Sequence, residues 1–282
     1  MATTRLRGIE CPDRVLIPVN QSNLLDAVTA ITTKRQHADI QKIVLSIQHK
    51  LNIAMYQAAL ICELKPEDFK SFEERVNAIK KAEQFSKIDY KIFSYTMGDI
   101  DEYLLILSFL IETLAATVFS LFDISGSLLN QLYLLEMNER DVSFHNAMKQ
   151  LKTKVKIDVN DIVYRLLYSY DASPDEPNYA SNALREITWV KPMKEIRNRT
   201  THRPITDVCD IASRRDVYAK VYQEHPKLEF IINNNIVYPD KNLCSFAREV
   251  FNGVEEFVED FFFFLTEAIQ RSENLPIWTA PI

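Results

Sequence analysis

Glycine is scarce in this chain: only 4 of its 282 residues are glycine. Turn-rich β folds need glycine where the backbone takes positive φ, so this scarcity disfavours them. The rest of the composition, 47% hydrophobic and 26% charged, is ordinary for a globular protein long enough to bury a core. We therefore expect an all-α fold, built as one large domain or two modest ones.

Cysteine is also infrequent, and its spacing carries no metal-binding or redox signature. None of the 4 cysteines belongs to a C-x-x-C pair. They are Cys11, Cys62, Cys209 and Cys244. The sequence predicts separate thiols in a reducing compartment rather than a disulfide framework or a zinc site. The opening residues lack the apolar core of a signal peptide, so we expect a cytoplasmic protein.

Two further absences narrow the range of ligands that the protein could bind. The chain has no glycine-rich loop to cradle a nucleotide, and no His, Asp and Cys grouping with metal-ligand spacing. We therefore expect neither a cofactor nor a metal. The net charge of -6 argues against coating nucleic acid with the whole surface, but leaves room for a local basic cleft. Basic residues do cluster, at 149–156 and again at 191–203.

Apolar residues recur at three- and four-residue steps along most of the chain, which predicts helices. We divide the chain into an N-terminal helical region of unknown role, residues 1–96, and a second domain, residues 97–282. Residues 99–137 should form either one long helix or two nearly collinear ones that separate at Gly126. A small irregular or β insertion, residues 227–238, should precede the last long helix, residues 243–271.

Residues 104–122 are apolar and about long enough to span a bilayer. Glu112 lies in the middle of this run, and no basic cluster flanks it to set a topology. We therefore expect a core helix surrounded by other helices, and no membrane partner. A carboxylate buried in such a helix needs a cationic partner such as Arg197 or Arg185.

The sharpest chemical signal is the run Arg197-Asn198-Arg199-Thr200-Thr201-His202. An apolar stripe at helical spacing precedes it, which places the run in a helix. The stripe consists of Ile187, Val190, Met193 and Ile196. Pro204 disfavours helical geometry at Arg203, so the helix should end at about His202.

Helical spacing sets which of these residues can act together. Asn198 and His202 are four positions apart and share a face. Arg197 and His202 are five apart and diverge by more than a right angle on an ideal helix. Cooperation between them requires a distorted last turn, or a second copy of the helix facing the first.

The residue types suit RNA cleavage. The negative end of the helix dipole favours a charged histidine, which can transfer protons near neutral pH. Arginine offers a bidentate cation to a phosphate, and asparagine can orient either group. These parts suffice for attack of a ribose 2′-hydroxyl on its neighbouring phosphate without a metal. An arginine and a histidine five residues apart often occur by chance, so the spacing alone favours a surface helix end with a structural Arg-His cluster.

Arg197-Asn198-x-x-x-His202, on a helix late in an all-helical domain, resembles the signature of the HEPN superfamily. Residues 143–152 also resemble the second helix common in that group, and the resemblance covers roughly residues 97–270. It implies a bundle of four or five helices that forms a homodimer, with two motif copies lining one cleft. It also implies a metal-independent endoribonuclease of a toxin–antitoxin or other defence system, restrained by an inhibitory partner protein.

The resemblance assigns a role to each matching residue. Arg197 would bind the scissile phosphate, Asn198 would orient it or the imidazole, and His202 would transfer protons. The second-line phosphate contacts would be Arg199, Arg203 and Lys194, and Glu112 would face the cleft. Toxin members silenced by nucleotidylation often carry a tyrosine two places after the histidine. Here that place is Pro204, which argues against such control.

A second interpretation keeps the predicted helical fold but assigns it no catalytic activity. The acidic charge balance and the unassigned N-terminal third also suit a non-catalytic helical scaffold or RNA-binding protein. On that interpretation, replacing His202 leaves binding unchanged.

Overall fold

The computed structural model describes most of the chain in eight stretches. These are residues 15–32, 34–64, 90–138, 140–171, 174–202, 231–232, 235–236 and 243–271. Only the backbone is described for residues 34, 90–105, 108, 199–202 and the four strand residues. The helix predicted to begin at Pro66 lies outside the described residues.

The described residues form eight α-helices, one π-helical turn and two short strands, so the fold is all-α as predicted. In chain order the elements are α1 (Gln21–Thr29), α2 (Lys34–Glu63), α3 (Tyr90–Leu132), α4 (Phe144–Gln150), the π turn (Leu151–Val155), α5 (Ile162–Asp171), α6 (Tyr179–Asn182), α7 (Val190–His202), β1 (Ile231–Ile232), β2 (Asn235–Ile236) and α8 (Leu243–Arg271). The two strands pair antiparallel within the predicted insertion, with Ile231 opposite Ile236.

The central helix α3 differs from its prediction at both ends, since it runs from Tyr90 to Leu132 instead of over residues 99–137. Its C-terminal end has a local cause. The Asn130 side chain accepts a hydrogen bond from the Met137 N–H at 3.1 Å, which holds the following turn. Leu134 and Glu136 in that turn have positive φ values of 47° and 55°, which cannot continue a right-handed helix.

The helix α3 is continuous through Gly126, which is the first of the two predicted arrangements. A Cβ added at this residue would lie 2.7 Å from the Ser143 carbonyl carbon and 2.8 Å from the Phe144 nitrogen. Glycine therefore lets the α3 backbone approach the start of α4. Ser143 is the N-cap of α4, and its hydroxyl accepts a hydrogen bond from the Asn146 N–H at 3.2 Å.

The chain divides into two compact units. Unit 1 comprises Met1–Asp13, Tyr56–Ala115 and Glu195–Arg248, and unit 2 comprises Arg14–Met55, Ala116–Lys194 and Glu249–Ile282. Within unit 2 the Glu259 carboxylate accepts hydrogen bonds from the N–H groups of Val19 and Asn20, at 2.6 and 3.1 Å. The segment before α1 thus packs on α8. The predicted domain boundary at residues 96 and 97 falls within α3 and stays a prediction.

An aromatic cluster forms the centre of unit 2. The ring centroid of Phe122 lies 4.8 Å from that of Phe257, 5.6 Å from Phe144 and 6.2 Å from Trp189. All four side chains are buried. Each buried ring contributes roughly 1.5–3 kcal/mol, so this cluster holds α3, α4, α8 and the residues before α7 together.

One described helix segment, Phe109–Leu132, is long and apolar enough to cross a membrane. Within the protein, 61% of its apolar window is buried. Burial of that extent agrees with the predicted core helix, since the core helix of a soluble protein meets the same length and composition criteria.

Within unit 1, Cys62 and Cys244 form a disulfide, which contradicts the prediction of separate thiols for this pair. Cys62 lies in the last turn of α2 and Cys244 at the start of α8. The Cα atoms are 4.6 Å apart although 182 positions separate the residues in sequence. Spacing rules address cysteines close in sequence and therefore missed this pair. Cys11 and Cys209 lie outside the described residues.

Opening this disulfide should destabilise the protein. The cross-link closes a loop of 182 residues, and the loop-entropy relation gives about 5 kcal/mol for that length. We expect dithiothreitol to lower the free energy of urea unfolding of the wild type, and Cys62→Ser to do the same without reductant. Cys209→Ser is the control. Equal stability of wild type with and without reductant would contradict the prediction.

Gly253 on α8 gives room to the Trp189 indole, because a Cβ at this residue would overlap the ring. We expect Gly253→Ala to destabilise by about 1–2 kcal/mol, since overpacking outweighs the helix propensity gained. Asn252→Ala, on the exposed neighbouring residue, should be near neutral. In a Trp189→Leu background the effect of Gly253→Ala should change sign. Urea unfolding of these variants checks this, and destabilisation in both backgrounds would refute it.

Candidate functional site

The helix α7 carries the predicted motif, and its buried face matches the predicted stripe. Val190, Met193 and Ile196 are 6%, 0% and 0% exposed, and Ile187 before the helix is 7% exposed. The helix ends at His202, as the proline two positions later predicts. The hydrophobic register therefore sets which residues of the motif reach solvent.

The first two motif residues are exposed. Arg197 and Asn198 follow the buried Ile196 directly and lie on the solvent side of α7. The backbone of Arg199 and His202 continues the same helix. Arg203 lies outside the described residues. Both described side chains of the motif therefore lie at the surface of α7.

The last turn of α7 is regular, because the backbone is α-helical through His202. Positions 197 and 202 are therefore about 140° apart around the helix axis, and positions 198 and 202 about 40° apart. Of the two arrangements in which Arg197 and His202 act together, a regular last turn disfavours the distorted helix. The other arrangement, a second copy of α7 that faces the first, stays a prediction.

Two further residues predicted for the site are Lys194 and Glu112. Lys194 is exposed on α7 and belongs to unit 2, whereas Arg197 and Asn198 belong to unit 1. Glu112 belongs to unit 1 and is half-buried rather than enclosed. Its place beside a cleft stays a prediction.

Arg185, one of the two partners expected for Glu112, binds carboxylates of α8. Its guanidinium donates to Asp260 at 2.8 Å and also bonds Glu256 and the Tyr170 hydroxyl. Burial raises the pKa of Asp260, while the charge of Arg185 opposes that shift. Burial likewise raises the pKa of Tyr170, which keeps the hydroxyl neutral. Within unit 2 this network joins the segment before α7 to α8.

A histidine and an aspartate that sequence reasoning missed form a pair in unit 2. His145 Nδ1 lies 3.1 Å from both carboxylate oxygens of Asp171. The imidazole is 68% exposed, whereas the aspartate side chain is only 11% exposed. His145 lies in the first turn of α4 and Asp171 ends α5, so the pairing follows from how these helices pack. A distance of 26 positions in sequence concealed it.

The charges around His145 favour its protonated form. The hydrogen bond to Asp171, and next the attraction of that carboxylate, raise the pKa of His145 above 6.5. Burial and the positive charge of Lys194 lower it, and Glu176 raises it. The exposed imidazole therefore carries a positive charge to higher pH than a free histidine does.

Among the described residues, no three His, Cys, Asp or Glu side chains come together in a group that could hold a metal ion. That the protein uses neither a metal nor a cofactor stays a prediction from the sequence.

Compared with known proteins, the chain matches no family model, no curated protein and no solved structure. The HEPN resemblance therefore depends on the motif and on the helix that carries it.

The His145–Asp171 pair should contribute stability in a pH-dependent way. Because the folded-state pKa of His145 is raised, this contribution is complete below the unfolded pKa and is lost as pH rises through the folded value. We expect His145→Gln to destabilise more at pH 5.5 than at pH 8.5, by less than about 1 kcal/mol for so exposed a pair. Urea unfolding at both pH values measures the difference.

Asp171→Asn provides the control for this prediction. In that background His145 has lost its carboxylate partner, so His145→Gln should have the same small effect at both pH values. An unchanged pH dependence there would assign the effect to another group.

Proposed function

We propose that this protein is a metal-independent endoribonuclease of the HEPN type. The observation that carries the proposal is the register of α7. Burial of Val190, Met193 and Ile196 leaves Arg197 and Asn198 exposed in the C-terminal part of a regular helix that stops at His202. An RNA strand can therefore reach an arginine and an asparagine on the helix whose last residue is a histidine.

In the proposed reaction Arg197 stabilises negative charge and His202 transfers protons. Arg197 binds the non-bridging oxygens of the scissile phosphate and neutralises charge that develops there. One His202 imidazole takes the proton of the 2′-hydroxyl, whose oxygen forms a bond to phosphorus. The bond from phosphorus to the 5′-oxygen breaks, and that oxygen receives a proton. The products are a 2′,3′-cyclic phosphate and a 5′-hydroxyl end.

This reaction needs one group to remove a proton and another to supply one. A single α7 offers one His202, about 140° around the helix from Arg197. Two copies related by a two-fold axis would supply two histidines and two arginines in one cleft. We therefore propose a homodimer as the active form, with Asn198 orienting the phosphate or the imidazole, and Arg199, Arg203 and Lys194 contacting flanking phosphates.

The biological setting follows from the same proposal. A ribonuclease without a metal requirement is harmful when unrestrained, so we propose a toxin or defence role in the cytoplasm, with an inhibitory partner protein. The Cys62–Cys244 disulfide bears on this location, because a reducing cytoplasm keeps most thiols free. Trapping free thiols at lysis and measuring this pair by mass spectrometry separates a reducing from an oxidising compartment.

Cleavage of a mixed RNA pool in excess chelator tests the activity. We expect the wild type to cut single-stranded RNA, and Arg197→Ala and His202→Ala to lose at least about a hundredfold in rate, because each removes a group that acts in the transition state. Arg248→Ala and His49→Ala are the matched controls, since both residues are exposed on helices outside the motif. Product ends are identified by mass spectrometry.

The second candidate function is non-catalytic, and the same assay distinguishes it from the first. A folded, dimeric wild type that cuts none of the RNAs would favour a non-catalytic scaffold or RNA-binding protein. The net charge of -6 is the observation that favours this alternative. RNA binding that persists in His202→Ala without any cleavage would establish it.

A further inference from the structure

The basic segment at residues 149–156 takes no part in the proposed reaction. It belongs to unit 2 and lies on the end of α4, the π turn and the residue after that turn. From residue 144 to residue 157 the sequence contains four lysines and no aspartate or glutamate. The buried side chains of this stretch are Phe144, Ala147, Met148 and Leu151. The four lysines are exposed, namely Lys149, Lys152, Lys154 and Lys156. Burial of the apolar residues therefore leaves every lysine of the segment at the surface.

One of these lysines has a structural role. The Lys154 ammonium group donates to the Leu135 carbonyl at 2.7 Å and to the Glu136 carboxylate at 3.2 Å. These bonds hold the turn after α3, in which Glu136 has a positive φ. The charge of Lys154 is already balanced by a carboxylate, so this lysine provides an internal comparison for the other three.

The other three lysines, which we call the lysine surface, have no such partner. Among the described residues, no hydrogen bond or ion pair involves the side chain of Lys149, Lys152 or Lys156. Asp171, which lies beside α4, is bonded to His145 instead. Exposed ammonium groups without a carboxylate partner can each contact an external anion.

The carboxylates that follow the segment hold backbone groups. Asp158 accepts a hydrogen bond from the Asn160 N–H at 2.9 Å, and Asp161 accepts one from the Val163 N–H at 2.7 Å. Asp161 precedes α5, so the positive end of that helix dipole offsets part of its charge. Even with Glu136 included, three carboxylates stand against four lysines. The surface therefore keeps a net positive charge in a chain that is acidic as a whole.

The backbone of Lys156 is the second unusual feature of the lysine surface. This residue ends the π turn with φ 56° and ψ 37°, the left-handed conformation in which glycine or asparagine is preferred. A lysine at this position costs stability relative to those residues. Strained backbone positions and single π turns both occur frequently at functional sites. The conformation therefore indicates that Lys156 serves binding rather than folding.

We propose that the lysine surface binds the phosphate backbone of a single RNA strand without regard to its sequence. Lys149 and Lys156 are seven positions apart, about 10 Å along a helix, which is comparable to about three nucleotides at 3.4 Å each. Lysine contacts phosphate as a point charge, so three such groups in a row favour a polyanion over one small ligand. The choice of RNA as the polyanion rests on the proposed function.

Binding should weaken as lysines are removed and as the salt concentration rises. Replacing one lysine should lower RNA affinity about twofold to fivefold, as for one exposed ion pair. Replacing all three should lower it at least about tenfold. Each contact to a single strand contributes about 0.7 to the slope of log affinity against log salt concentration, so the slope should fall by about 2.

The experiment uses a fluorescent 2′-O-methyl oligonucleotide, which lacks the attacking hydroxyl and cannot be cut. Fluorescence anisotropy gives its affinity for the full chain near neutral pH over a range of salt concentrations. The triple variant combines Lys149→Gln, Lys152→Gln and Lys156→Asn. A control with the same change of net charge, at three exposed cations outside the segment, combines Lys42→Gln, Arg248→Gln and Arg271→Gln. The control should bind like the wild type, because the attraction is local.

Two further variants separate binding from folding. Lys156→Asn alone should weaken RNA binding while the midpoint of urea unfolding stays equal or rises, because asparagine tolerates the left-handed conformation. The double variant Lys154→Gln with Glu136→Gln keeps the net charge and removes the structural ion pair. It should unfold at lower urea concentration and bind RNA like the wild type. A Lys156→Asn variant with unchanged RNA affinity would contradict the proposal.

Three other outcomes would overturn the proposal. Wild type that does not bind the oligonucleotide, or a triple variant that binds like its charge-matched control, would refute an RNA-binding surface here. Binding to vesicles of phosphatidylserine and phosphatidylcholine that the triple variant alone loses, with unchanged oligonucleotide affinity, would assign the lysines to a membrane surface. Wild type that shows the expected binding pattern but cuts no RNA would support the lysine surface and reject the nuclease proposal.

Discussion

The aromatic packing around Phe122 is the interaction on which unit 2 depends. Its ring contacts residues from α4, α8 and the segment before α7, so three separate parts of the chain are held by one side chain. Two glycines make this packing achievable. Gly126 admits the start of α4 to the backbone of α3, and Gly253 admits the Trp189 indole to α8. A chain with so few glycines uses two of them for close approach between helices.

This packing also determines which charges reach the surface. Arg185 connects the segment before α7 to Glu256 and Asp260 on α8, which fixes the start of the motif helix. Since α7 buries Val190, Met193 and Ile196, Arg197 and Asn198 face solvent. The positions of the apolar residues in α7 therefore decide which motif residues are exposed. The core does not need these exposed polar residues for packing, so they can serve a function.

The acidic net charge of the chain disfavours nonspecific coating of nucleic acid, so the proposed attraction for RNA would have to come from a local basic surface. Within unit 2 one exposed charge responds to pH, because the Asp171 carboxylate raises the pKa of His145.

Sequence periodicity was sufficient for the helical class and for the buried face of α7, and Pro204 for the end of that helix at His202, because these depend on residues within a few turns of each other. The same reasoning could not decide whether the long helix continues through Gly126, since propensity describes an isolated helix and not one against which a neighbouring segment packs. It missed the Cys62–Cys244 and His145–Asp171 pairs for a related reason. Their partners lie 182 and 26 positions apart, and only the packing of whole helices brings such residues into contact.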